Sequence, residues 1–253
     1  MSVCALRTAG SLRALFSLMK LERAGGAYLA ARERHHRLDL MGFAGAGLVA
    51  SVAAGIVVNP FVGIVAGLAA GSMAGPALGR FRSVRAGRLG ETSVTELLGR
   101  LSDDYFLVND VILPYYRGTV DHVLIGPFGI MALETKRWAG SIRVRNNRWR
   151  VNGIPRGDVA RQVTEGAIAV KEFLSRAHPE LGRSLLRWVE GVVVLAHPLC
   201  RVKVDRSWAP VVRFSELLSL IAAKPVRPRY TPAQGQMLAD VLSRGARESV
   251  RTA

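Results

Sequence analysis

The chain is poor in cysteine, lysine and acid, and each shortage excludes something. Only two cysteines are present, Cys4 and Cys200. They make no metal-binding or disulfide spacing and fit a reducing compartment. Of 35 basic residues only five are lysine: Lys20, Lys136, Lys171, Lys203 and Lys224. A chain that nearly always chooses arginine makes each lysine more informative, because the two are not interchangeable where a compact ammonium is needed. Acids number 19, leaving a formal net charge of +16. That surplus favours polyanionic partners, either nucleic acid or the anionic face of a membrane, although a solvated basic surface has the same composition. No long apolar run precedes residue 40, so no cleavable signal peptide is expected. With 49% hydrophobic residues over 253 positions, global disorder is excluded and one or two domains are expected.

Charge itself is missing from residues 40–79, a run bracketed by Asp39 and Arg80. At ~20 residues per span this is room for two transmembrane helices, about 40–58 and 61–79, with Asn59-Pro60 at the turn. The basic flanks, Arg32, Arg34 and Arg37 before and Arg80, Arg82, Arg85 and Arg88 after, predict both ends on the cytoplasmic side of the cytoplasmic membrane. Gly63, Gly67, Gly71, Gly75 and Gly79 recur at every fourth position, and Gly47, Ser51 and Gly55 repeat that spacing in the first helix. Such a ladder lets another backbone approach closely, within the hairpin or between chains that self-associate. A glycine- and alanine-rich soluble hairpin is the alternative. Residues 1–39 carry seven basic and three acidic side chains. Leu12, Leu15, Phe16 and Met19 share a helical face there, which suits either a membrane surface or a cytosolic stub.

Residues 88–224 read as a soluble α/β domain. Helical spacing is expected over 89–101 and a strand over 106–113. Hairpins are expected from 119–125 with 130–136, and from 141–145 with 148–151 turning at Asn146-Asn147. Next come a helix from Asp158 to about His178, a buried strand over 189–196, and a short helix over 215–222 capped by Ser215. Residues 225–253 would hold a last helix, about 232–242, and a frayed tail.

The segment from Val120 to Lys136 concentrates the chemistry. If Gly126–Gly129 closes the hairpin as a four-residue loop, Ile125 faces Ile130, and counting back puts Asp121 opposite Glu134. Their Cβ atoms would then be ~5 Å apart on one face, and Lys136 shares that face. Two like charges in that position are destabilising unless something offsets them, and Mg²⁺ or Mn²⁺ suits hard oxygen ligands. Lys136 would orient water or steady a phosphoryl transition state. A one-residue slip would separate the acids. His122 points to the opposite face and is expected to be packed, not a ligand.

Gly90-Glu91, Asp121-His122-Val123, Gly126-Pro127-Phe128-Gly129-Ile130 and Glu134-Thr135-Lys136 closely resemble the nuclease-related domain (NERD), which is assigned to the PD-(D/E)XK nuclease superfamily. The resemblance covers roughly residues 88–214. It implies a restriction-endonuclease-like mixed β-sheet flanked by helices, with Asp121 and Glu134 as metal ligands and Lys136 as the catalytic lysine. It also implies that Gln162 is the family's helical glutamine and Glu91 the acid of its first helix. Where the family's lysine is often followed by Asn, this chain has Arg137, which leaves open how that loop meets substrate.

Around it, Arg143, Arg145, Arg148, Arg150 and Trp149 crowd one hairpin. The arginines are suited to phosphates and Trp149 to a base, although a solvated face explains the same arginine spacing. The expectation is therefore a membrane-anchored, metal-dependent nuclease acting on DNA, or on RNA. Its rival keeps the fold and binds nucleic acid or protein without cutting.

Overall fold

The structure, a computed structural model, describes residues 34, 37–38, 41–42, 44–53, 56–182, 186–225 and 230–252. The amphipathic helix expected before residue 39 lies outside them. The chain divides into two compact units, residues 26–89 and a larger one built on residues 90–253.

In the smaller unit, residues 44–53 are helical and the chain turns at Val58-Asn59. Helix α1, Pro60–Leu98, starts there. Asn59 caps it by accepting from Phe61 N at 2.8 Å, and Pro60 takes a first-turn position where a missing N–H costs nothing. Small residues bring the two helical segments together. Ser51 Oγ donates to Gly63 O at 2.7 Å, and a Cβ on Gly67 would lie 2.9 Å from the same hydroxyl. The rungs expected to continue at Gly71, Gly75 and Gly79 lie outside the described side chains.

Two expectations need correction here. No helix among the described residues is long and apolar enough to cross a membrane, so the two spans over 40–79 have no support. The helix expected over 61–79 and the one expected over 89–101 are one continuous helix, since the arginines from Arg80 onward favour helix as much as the residues before them.

The larger unit is a mixed α/β fold with two mixed sheets flanked by helices, where the sequence had suggested a single sheet. Strands β1 Phe106–Ile112, β2 Thr119–Gly126 and β3 Gly129–Lys136 form an antiparallel meander. β7 Val189–Leu195 pairs parallel to β3, and β9 Val211–Arg213 parallel to β7. The five-stranded order is β1-β2-β3-β7-β9. The second sheet runs β6-β5-β4-β8, from β4 Gly140–Arg145, β5 Arg148–Val151, β6 Ile154–Arg156 and β8 Cys200–Val204. Its tight turns use left-handed residues, Asn146 and Asn147 in one and Asn152 and Gly153 in the other, as short hairpins demand.

Both faces of the large sheet are covered, which explains strands that are nearly continuously apolar. Val123, Ile125 and Ala132 pack under α2, Val159–Ala177, and α4, Pro232–Thr252, through Val170, Leu174, Leu238 and Leu242. Leu124, Met131 and Leu133 meet Val94 and Leu98 of α1 and Leu217 and Ile221 of α3, Leu217–Ala222. α4 runs ten residues past the end expected for it at 242. A 3₁₀ turn, Phe214–Glu216, precedes α3; Arg213 caps it, with Glu216 accepting back from Arg213 N at 2.9 Å, so Ser215 lies inside the turn and is not the cap. α2 starts where expected, with Asp158 capping it by accepting from Arg161 N at 3.0 Å.

Candidate active site

Register is what makes the site. β2 and β3 pair from His122↔Leu133 to Gly126↔Gly129, so the turn is two residues, tighter than the four expected, with the alignment of Ile125 on Ile130 unchanged. Gly126 makes room there for the Tyr105 ring, since a Cβ would lie 2.5 Å from it and force the ring to shift. One step beyond His122↔Leu133, the same alignment sets Asp121 across from Glu134. Asp121 Oδ2 accepts from Thr135 N at 2.7 Å, which ties the carboxylate to the neighbouring strand. Lys136 Nζ donates to Glu134 Oε1 at 2.5 Å, two residues along β3 and on the same face.

Two helices complete the cluster. Gln162, in the first turn of α2, hydrogen-bonds the Glu134 carboxylate through its side chain. Tyr116 Oη donates to the Gln162 backbone carbonyl at 3.3 Å, fixing that turn. Glu91 stands one residue after Gly90 in α1. Gly90 lets the helix lie against β3, since a Cβ would meet Arg137 Cβ at 3.0 Å and Thr135 Cγ2 at 3.3 Å.

The electrostatics are those of too many acids in too little water. Burial raises the Asp121 carboxyl well above the ordinary range, and Glu134 and Glu91 add to the shift against Lys136 and the Thr135 N–H. Glu91 is raised first by burial and then by Glu134, with Lys136 opposing. Glu134, only 3% exposed, is raised by burial against the pull of Lys136 and Gln162. Burial works against the Lys136 ammonium, but Glu134, Asp121 and Glu91 outweigh it and hold its pKa above the usual lysine value.

The structure thus brings together Asp121, Glu134, Lys136, Glu91 and Gln162. It adds Asp110, which sequence reasoning missed. Asn109↔His122 and Val111↔Val120 flank it, so its backbone lies opposite that of Asp121 across β1 and β2. Its φ of 49° is left-handed within an otherwise continuous β1, and burial followed by Glu91 raises its pKa to about 7. Nothing in the sequence fixes the β1–β2 register, since the connection over 113–118 is not a tight turn. His122 is 1% exposed, with Nδ1 2.8 Å from Asn109 Oδ1, packed as expected.

Could this cluster hold a metal? Four acids, Glu91, Asp110, Asp121 and Glu134, gather near one ammonium, and the buried Glu91 Oε2 has no hydrogen-bond partner. Both observations fit an added cation. Among the described residues no three His, Cys, Asp or Glu side chains stand grouped as a ready cage. Mg²⁺ does not need one, since it commonly binds through one or two carboxylates and keeps several waters.

The basic hairpin is only partly as expected. Arg143, Arg145 and Arg148 are exposed, and Arg137 is half-buried. Trp149 is a correction. It is 1% exposed, packed edge-on against Trp138 with centroids 6.2 Å apart, and cannot stack on a base.

Residues 86–196 match the family model of the nuclease-related domain (NERD). No curated protein and no solved structure matched the chain. The matched stretch contains Glu91, Asp121, Glu134, Lys136 and Gln162 and ends after β7.

Proposed function

We propose that this chain is a metal-dependent nuclease that hydrolyses phosphodiester bonds of DNA or RNA at the cytoplasmic face of a membrane. One observation carries the reading: an acid cluster short of positive charge, built around Asp121, Glu134 and Lys136, within a stretch that matches a nuclease-related domain. Asp121 and Glu134 would hold Mg²⁺ or Mn²⁺, with Glu91 the next nearest acid. Bound there, the ion would lower the pKa of a water and offset charge building on the phosphate.

The chain's own residues have separate tasks. Gln162 orients the Glu134 carboxylate through its side-chain hydrogen bond. Thr135 N orients Asp121. Lys136, whose pKa is held high, stays an ammonium at neutral pH and serves as a cation toward a phosphate oxygen, not as a base. Hydrolysis adds water to phosphorus and breaks one P–O ester bond, the leaving oxygen taking a proton. Arg137, Arg143, Arg145 and Arg148 supply phosphate contacts that position the strand without reading sequence.

The smaller unit supports lipid contact. Leu48, Val49, Ile56, Val57, Phe61 and Leu68 are all exposed on it, more apolar surface than a solvated hairpin normally carries.

The test is incubation of the purified chain with plasmid and with single-stranded DNA and RNA, under Mg²⁺, Mn²⁺ or EDTA. Cleavage should need the metal and vanish in Asp121→Asn and in Lys136→Met. Lys136→Met should still bind metal, because its task belongs to the transition state. Intact nucleic acid under every metal would instead favour a binding module that keeps the fold.

A further inference from the structure

The β4–β5 turn carries a second surface, away from the acid cluster in sequence and made by different residues. Asn146 and Asn147 are both left-handed, with φ of 50° and 59°. Asn147 grips the loop after β8 from two sides: its N donates to Arg206 O at 3.1 Å, and its Oδ1 accepts from Trp208 N at 2.7 Å. Ala209, the next residue, is buried, and Pro210 O accepts from Val193 N at 2.9 Å. Trp208 is therefore anchored through its backbone on both sides while the residue is left 68% exposed. An uncovered indole on an anchored backbone is a platform whose loop is ordered before any ligand arrives.

Beside it lies a cavity of about 380 Å³, lined by Trp208, Asn147, the edge of Trp149, Arg148, Arg150 and Arg156. That volume is in the range of small-ligand sites. Arg148 and Arg156 make no ion pair among the described residues. Arg150 is steadied by donating to Gly153 O at 3.0 Å. The one acid at the rim, Asp158, is committed to capping α2. An aromatic face with several unneutralised guanidiniums around it matches a base flanked by phosphates.

We propose that Trp208 and the Arg148–Arg150–Arg156 pocket hold a base and its adjoining phosphates from single-stranded nucleic acid. The inference rests on the nucleic-acid reading above for the nature of the polymer and narrows it to strands with unpaired bases. In a duplex the base faces are already stacked on each other and cannot lie on an indole, whereas every unpaired base offers one.

The test uses the full-length chain in mild detergent, with oligo-dT, oligo-U and a DNA duplex of equal length, reading affinity and tryptophan fluorescence. Trp208→Ala should weaken binding of both single strands by about tenfold, the scale of one base stack, and leave duplex affinity unchanged. Its fluorescence quench on adding oligo-dT should disappear, and Trp208→Phe should restore most of the affinity. Arg148→Ala and Arg156→Ala should each lower the salt dependence by about one unit, which Trp208→Ala should not. Equal single-strand affinity for wild type and Trp208→Ala would overturn the inference, as would an equal loss on single strand and duplex. Loss on oligo-dT alone, or on oligo-U alone, would assign the pocket to DNA or to RNA. Trp208-dependent binding without metal-dependent cleavage would uphold the pocket and sink the nuclease reading. Cleavage and single-strand affinity that both ignore Trp208 would do the reverse.

Discussion

At the scale of single residues, the site is a problem in proton bookkeeping. Asp110, with its pKa raised to about 7, holds a proton in the fold that it would release near pH 4 when unfolded. Between those values the native state binds more protons, so stability falls as pH rises through the window and the full loss is present above it. Asp110→Asn removes the titrating group, and Asn tolerates the left-handed φ of 49° that Asp110 adopts. The variant should be close to wild type at pH 4. At pH 8 it should be more stable by on the order of a few kcal/mol, measured by denaturant titration. Equal stability at pH 8 would mean the Asp110 carboxyl is better solvated than its burial implies. Asp121 and Glu134 are raised in the same direction, so Asp121→Asn should also stabilise the metal-free chain at neutral pH. It should then forfeit most of the rise in Tm that added Mn²⁺ gives the wild type. A Tm response to Mn²⁺ unchanged by Asp121→Asn would place the ion elsewhere.

At the scale of elements, what was legible depended on whether a turn fixed the register. The hairpin of β2 and β3 was readable because Gly126 and Gly129 pin its end, and from there the position of Asp121 follows by counting. The position of Asp110 did not follow, since residues 113–118 set no register between β1 and β2. Trp149 was misplaced although its face was readable. It alternates with Arg148 and Arg150, and period two puts it inside once they are outside. β6 was missed although Asn152-Gly153 is the strongest short-range hairpin signal a sequence offers. β8 and β9 had no comparable signal, being short and largely exposed strands whose pairing is parallel and non-local. The small sheet depends on one close approach. Gly140 has φ +87°, and a Cβ there would collide with the Asn152 side chain. That same side chain accepts from Ser141 N at 2.8 Å and donates to Ala139 O at 3.2 Å. Gly140→Ala should therefore cost more than a surface substitution, ~2–3 kcal/mol, from backbone strain and displacement of Asn152 together. For a unit of this size that is a fall in Tm of very roughly 4–12 °C, readable by calorimetry. A fall under about 1 °C would show that the turn relaxes freely.

At the scale of the whole molecule, two properties were plain in the sequence and pull toward different partners: a net charge of +16 and a charge-free run at 40–79. The charge is laid out on the small sheet, where Arg143 faces Arg150 on one side and Lys203 on the other, and Arg145 faces Arg148. Like charges directly across a sheet are unfavourable, and a polyanion relieves them. Arg143→Ala with Arg145→Ala should reduce the slope of log affinity against log salt by about two, one for each phosphate that is no longer neutralised. The reduction should be below two if the exposed ion pair of Arg145 with Asp205, at 3.6 Å, already neutralises part of that charge. The apolar run acts through area instead of charge, so its signature is insensitivity to salt. Val57 and Phe61, on either side of the turn at Val58-Asn59, are exposed, and lipid contact would remove them from water at about 1.5–3 kcal/mol per side chain. Full-length chain should therefore stay with the membrane pellet through a wash in 1 M salt, roughly the concentration at which surface electrostatics are screened within 3 Å. Detergent should release it. The double substitution Val57→Asp, Phe61→Asp should move it to the salt-wash supernatant, because each carboxylate would have to be desolvated to follow the apolar face into lipid. Wild-type chain in the salt-wash supernatant would show that only its positive charge meets the membrane, and that the hairpin's apolar surface serves contacts between protein surfaces.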